Sequence, residues 1–85
     1  MFKLTEIEAA CGVTVEDVER VRRESYVSGG IVMVPKGTGP ALGNAAARMA
    51  TGRPMEFSHL SGGYPIYKLT GDSLGQPVYT ERTER

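Results

Sequence analysis

The sequence predicts a single α+β domain in which two capped N-terminal helices and an alanine-rich third helix pack on a small, mostly antiparallel sheet. Three observations predict it. Residues 4–23, "LTEIEAACGVTVEDVERVRR", hold two successive cap-and-stop helix patterns. Residues 39–52, "GPALGNAAARMATG", hold a third. Residues 55–69, "MEFSHLSGGYPIYKL", place two alternating apolar runs on either side of a glycine turn, the pattern of a hairpin.

Each element has its own local reason. "TEIE" is a capping box: Thr5 accepts from the Glu8 amide while the Glu8 carboxylate reaches back. Ile7, Ala10 and Cys11 then share one face and are expected to be buried. Gly12 stops this helix, and Val13 is expected to plug the turn. Thr14 begins the second helix with a looser cap, "TVED". Val15, Val18 and Val21 form its stripe, and Arg20, Arg22 and Arg23 lie toward its negative end. "SGG", residues 28–30, is expected to end it. "IVMV", residues 31–34, reads as a short strand closed by Pro35. Thr38 or Gly39 caps the third helix with Pro40 in its first turn, where the missing N–H costs nothing. Leu42, Ala45, Ala46 and Met49 are its apolar face, and Gly52 and Pro54 end it. Pro65 marks the second strand of the hairpin as an edge strand, because proline cannot donate to a ladder. "TGDSLGQ" is a loop, "PVYT" a last short strand, and the polar residues 81–85 a tail after a domain of residues 1–80.

The totals narrow the function. The 85 residues suffice for one domain, which buries roughly 60–65% of its unfolded surface. A core this small, with an alanine-rich helix, points to a homodimer or a bound partner. Ten Lys and Arg balance ten Asp and Glu, so no overall attraction to polyanions exists. The charge is uneven, however: residues 31–55 carry Lys36, Arg48 and Arg53 and no acid. With Cys11 as the single cysteine, an internal disulfide is excluded, which fits a cytoplasmic location. No signal-peptide pattern and no apolar run of membrane-spanning length is present.

The catalytic inventory is thin. Cys11 is expected to be buried packing, and His59 has only Glu56 near it in sequence, so we expect no enzyme, no metal and no cofactor. The loop "KGTGPALG" has glycines at a strand-to-helix junction, as phosphate-binding loops do, and Lys36 beside them. It lacks the G-K-[ST] signature, Pro40 removes an amide, and the chain has no room for a dinucleotide fold. These residues are read as turn and cap, with contact to a nucleic-acid phosphate as the alternative.

Residues 4–23 resemble the helix-turn-helix of bacterial regulators, of the lactose-repressor type and more loosely the MerR type. Ile7, Gly12, Val13, Val18 and Val21 carry the resemblance, and the unit extends over residues 4–26. It implies a DNA-binding regulator of transcription whose second helix enters the major groove, with Thr14, Val15, Glu16, Glu19, Arg20 and Arg23 facing double-stranded DNA. Thr14 and Arg20 would contact phosphate and guanine, and Lys36, Arg48 and Arg53 the backbone. The family carries a small residue where this chain has Glu8. The alternative is a protein-binding module, such as an adaptor, an inhibitor of a host enzyme or a phage-type assembly subunit. In it the helical pair is structural and Tyr64 and Tyr67 anchor the partner.

Overall fold

A computed structural model describes residues 2–69. The expected loop at 70–76, the expected strand at 77–80 and the tail at 81–85 lie outside them. In chain order the elements are α1 (Glu6–Ala10), α2 (Val15–Glu24), β1 (Tyr26–Ser28), β2 (Ile31–Met33), α3 (Pro40–Thr51), β3 (Met55–Ser61) and β4 (Tyr64–Leu69). The class is the expected α+β, and the sheet is antiparallel throughout, in the order β1-β2-β4-β3.

Both N-terminal caps form. The Thr5 hydroxyl accepts from the Glu8 amide at 3.1 Å, and the Glu8 carboxylate accepts from the Thr5 amide at 2.9 Å. Gly12, at φ 84°, turns the chain into the Thr14 cap, whose hydroxyl accepts from the Asp17 amide at 3.1 Å. Val18 and Val21 are buried as expected, whereas Val15 is exposed.

The second helix ends earlier than expected. It stops at Glu24, and Ser25 takes an extended conformation with its hydroxyl donating to the Val21 carbonyl at 2.7 Å. "YVS" then forms β1, and "SGG" belongs to a hairpin turn rather than to a helix end. Gly29 and Gly30 have φ of 57° and 84°, and Gly62 and Gly63 have 61° and 89°. Two successive positive φ values twist a two-residue turn in the sense that a hairpin needs, and glycine reaches them without strain. The two hairpins join through β2 and β4, with Val32 opposite Tyr67.

Pro65 is therefore not in an edge strand: β4 is paired on both sides. The proline sits where the β2 pairing ends, just past Met33 opposite Ile66, so the N–H it lacks removes only a terminal ladder bond. Its carbonyl accepts from the Val34 amide at 3.1 Å. Among the described residues the edges are β1 and β3, and β3 is irregular between Phe57 and His59.

α3 lies between α2 and one face of the sheet. Gly43, Asn44, Ala45, Ala46 and Ala47 are consecutive and all buried. At roughly 100° per residue they cover a full turn, so this helix is enclosed on all sides and only small residues fit. Gly39 caps it without a side-chain bond, Pro40 opens it, and Gly52 closes it at φ 71°. The core joins Val18, Val21, Val32, Val34, the three alanines, Met55 and Tyr67, with Phe2, Leu4, Val13, Leu42, Met49 and Phe57 at its margin.

α1 inverts the expected pattern. Ile7 is 57% exposed and Cys11 is exposed, while Glu8 is fully buried. The reason is Arg48 of α3, forty residues away, which forms an ion pair with the Glu8 carboxylate. Arg48 also donates to the Lys3 carbonyl at 2.7 Å and to the Asn44 side-chain carbonyl at 3.3 Å. Asn44 in turn donates to the Met55 carbonyl at 2.9 Å. A short helix with one inward side chain buries whichever residue finds the stronger partner, and here a charge-assisted pair outweighs one isoleucine.

Two predictions follow from this packing. Arg48→Ala strands a buried carboxylate and should cost about 3–5 kcal/mol, read as a lowered urea midpoint. The double variant Glu8→Leu with Arg48→Met removes both charges and should recover part of that loss. Gly43→Ala should also destabilise: an added Cβ would lie 2.6 Å from the Tyr67 hydroxyl oxygen and 3.1 Å from its ring. Overpacking of about 1–3 kcal/mol exceeds the gain of about 1 kcal/mol from alanine's better helix propensity. In the Tyr67→Phe background the closest of these contacts is gone, so the same substitution should cost less.

Candidate functional site

The expected DNA-facing residues fall into separate places. On α2 the side opposite Val18 and Val21 carries Glu16, Glu19, Arg20 and Arg23, all exposed. Two acids and two bases cancel, so this face has no net charge to attract phosphate. Arg20 donates to the Asp17 carboxylate at 3.0 Å. That bond, followed by hydrogen bonding with Thr14, holds the Asp17 carboxyl below its ordinary value. The Thr14 hydroxyl is engaged as the helix cap.

The other three cations do not extend this face into one stripe. Arg48 has a side chain only 11% exposed and is committed to Glu8, Asn44 and the Lys3 carbonyl, which corrects its expected role as a backbone contact. Arg53 is exposed and lines a cleft with Lys3 and Arg48. Lys36 lies at the tip of the β3–β4 hairpin, its amine 5.2 Å from the centre of the Tyr64 ring. Arg53 and Lys36 are thus at opposite ends of β3, a strand of seven residues.

The two tyrosines expected to anchor a partner also separate. Tyr67 is 1% exposed and packs edge-on against Phe57, with ring centres 5.8 Å apart. Its hydroxyl donates to the Pro40 carbonyl at 3.4 Å. It is a core residue, not an anchor, because the absent side chain of Gly43 leaves room for its ring beneath α3. Tyr64, on the opposite face of β4, is 39% exposed.

The strand register shows which residues surround Tyr64. Tyr26, Met33, Ile66 and His59 form one row across the sheet, and Ser28, Ile31, Lys68 and Glu56 the next. Both rows lie on the face away from α3, as Tyr64 does, because side chains alternate along a strand. Tyr26 is 66% exposed and Ile31 47%, an unusual exposure for such large apolar groups in adjacent rows. Glu24, Tyr26, Met33, Val34, Pro35 and Tyr64 enclose a shallow pocket of about 240 Å³. The Lys68 amine stands 3.8 Å from the Glu56 carboxylate at one side.

The inventory of the sequence missed Tyr26 and Ile31 as candidates. The signal was present as "YVSGGIVM", a near-symmetric pair of β-branched and aromatic residues about two glycines. It was masked by the arginines that seemed to continue the helix.

The glycine loop is turned inward. The Thr38 amide and hydroxyl both donate to the Pro35 carbonyl, at 3.2 and 2.7 Å, and Gly39 accepts from the Gly43 amide at 2.7 Å. These are turn and cap bonds. Cys11 is exposed, and the His59 Nδ1 lies 2.8 Å from the Ser58 hydroxyl. Among the described residues no group of three His, Cys, Asp or Glu is placed to hold a metal ion. No helix among them is long and apolar enough to cross a membrane. Comparison with protein-family models, with curated proteins and with solved structures found no match to this chain.

Proposed function

We propose that this chain is a small non-enzymatic binding module that docks a protein partner on the outer face of its sheet, with Tyr26 and Tyr64 as anchors. The observation that supports this reading is the pocket between those two tyrosines, floored by Met33 and Pro35. Tyrosines flanking a pocket and rimmed by charge are the residue type and arrangement of energetic anchors at protein interfaces. Ile31 widens the apolar area, and Glu24, Lys36 and the Glu56–Lys68 pair supply a polar rim. Lys36 over the Tyr64 ring adds a cation–π contact that limits the ring's freedom before a partner arrives.

A second reading is DNA binding through α1 and α2 by a helix-turn-helix-like unit. Both caps and the Gly12 turn favour it. It draws on Arg20 and Arg23 against Glu16 and Glu19 on the same face, so the charge balance favours a protein partner.

The two readings predict opposite patterns of loss. Under the first, Tyr26→Ser should weaken the complex with a captured partner by about thirtyfold, the cost of one interface anchor, and adding Tyr64→Ser should weaken it further. Arg20→Ala with Arg23→Ala should leave that complex unchanged. Binding to duplex DNA whose affinity falls steeply with salt, and which the arginine variant abolishes, would instead support the second reading. The Tyr variants should retain the fold, since both side chains are exposed.

A further inference from the structure

We propose that the cleft between the N-terminal segment and the end of α3 is a binding site for a small phosphorylated molecule with an apolar or planar portion. Phe2, Lys3, Arg48, Met49, Gly52, Arg53 and Pro54 enclose a volume of about 370 Å³, within the roughly 300–1,000 Å³ range of small-molecule pockets. Lys3, Arg48 and Arg53 contribute three cations, and among the described residues no carboxylate lines the cleft. Glu8 neutralises Arg48 from within the fold, so Lys3 and Arg53 leave an excess of two positive charges. In a chain whose total charge is zero this is a local concentration of positive potential, and it has a shaped wall behind it.

Two features favour a phosphate monoester. Its charge of roughly −1.5 to −2 at neutral pH matches two exposed cations better than a single carboxylate does. Phe2, Met49 and Pro54 add apolar surface beside the cations, which a bare ion would leave unused. The Arg48 guanidinium is part of the cleft wall rather than a free donor: it lies 5.0 Å from the centre of the Phe2 ring, and its two terminal nitrogens are held by Glu8, Asn44 and the Lys3 carbonyl. The cleft lies by the C-terminal end of α3, so the two charges of Lys3 and Arg53 must outweigh the roughly half charge at the negative end of the helix dipole. The cleft shares no residue with the tyrosine pocket, so the proposal stands apart from the docking reading.

The test is a titration of the isotope-labelled full chain, followed by amide shifts, with inorganic phosphate, adenosine monophosphate, adenosine and duplex DNA as probes. Adenosine monophosphate should give saturable shifts at Phe2, Lys3, Gly52 and Arg53 and leave Tyr26 and Tyr64 unmoved. Lys3→Ala with Arg53→Ala should weaken it at least about tenfold, the loss of one or two charge-assisted contacts. Both residues are exposed, so an otherwise unchanged spectrum shows that the fold persists. Equal affinity for phosphate and the nucleotide would keep the anion site and assign free phosphate as its source. Three results overturn the proposal: no saturable shift with either, equal shifts from adenosine, or undiminished binding by the double variant. Tighter binding of duplex DNA at the same residues would also overturn it, and would assign the cations to a nucleic-acid backbone.

Discussion

The fold hangs on the ion pair between Glu8 and Arg48. Glu8 is fully buried and Arg48 nearly so, and together they join α1 to α3. Through Glu8 the pair fixes α1 and its cap. Through the Lys3 carbonyl it fixes the N-terminal segment, and through Asn44 it reaches the first residue of β3. Such a pair adds little net stability, because desolvating two charges offsets most of their attraction. Its effect is on uniqueness. An apolar contact tolerates a shifted helix, whereas a carboxylate that loses its guanidinium in this interior costs several kcal/mol, a large part of what a domain of this size has in total.

The second constraint is the enclosure of α3. A helix buried on all sides must be narrow, and five consecutive small or medium residues make it so. Narrowness lets α2 approach from one side and the Tyr67 ring from the other, closer than any side chain at Gly43 would permit. The two constraints meet at Asn44 and Arg48, one turn apart on the same helix. Asn44 is itself enclosed in the alanine-rich run, and its bonds to Arg48 and to the Met55 carbonyl satisfy it there, where an unsatisfied group would be most costly.

Much of this was legible in the sequence because it is local. Thr5, Glu8, Gly12 and Thr14 announce the helical pair within a span of ten residues. Gly39, Pro40 and Gly52 bracket the third helix, and the glycine pair at 62–63 sets the hairpin. What failed was set by distant residues. Ile7 outranks Glu8 for burial on hydrophobicity alone, and nothing near either residue reveals Arg48. Tyr67 and Tyr64 are equivalent by composition, and only the helix that covers one face of β4 separates a core ring from a surface ring. Pro65 marks an edge under the usual rule, but the rule concerns the ladder bond, and here only the terminal bond of the β2 pairing is forgone. The first hairpin was readable from its two glycines, yet the preceding arginines favoured a longer helix. The extended conformation of Ser25 ended it instead.

The placement of charge bears most directly on function. Ten acids and ten bases could be spread evenly, and on the outward side of α2 they are, with acids and arginines alternating until the field cancels. Elsewhere they separate. Lys3 and Arg53 stand together where Glu8 has been drawn inward, and the tyrosine face keeps its charges at the rim. Buried Glu8 neutralises Arg48 and leaves Lys3 and Arg53 as the net charge of the cleft, and the same contact orders the N-terminus. Reversing that arrangement, with Glu8 outward and Ile7 inward, would give the better amphipathic helix but would leave Arg48 without its counter-charge. The burial of Glu8 therefore ties the surface chemistry of this domain to the packing of its interior.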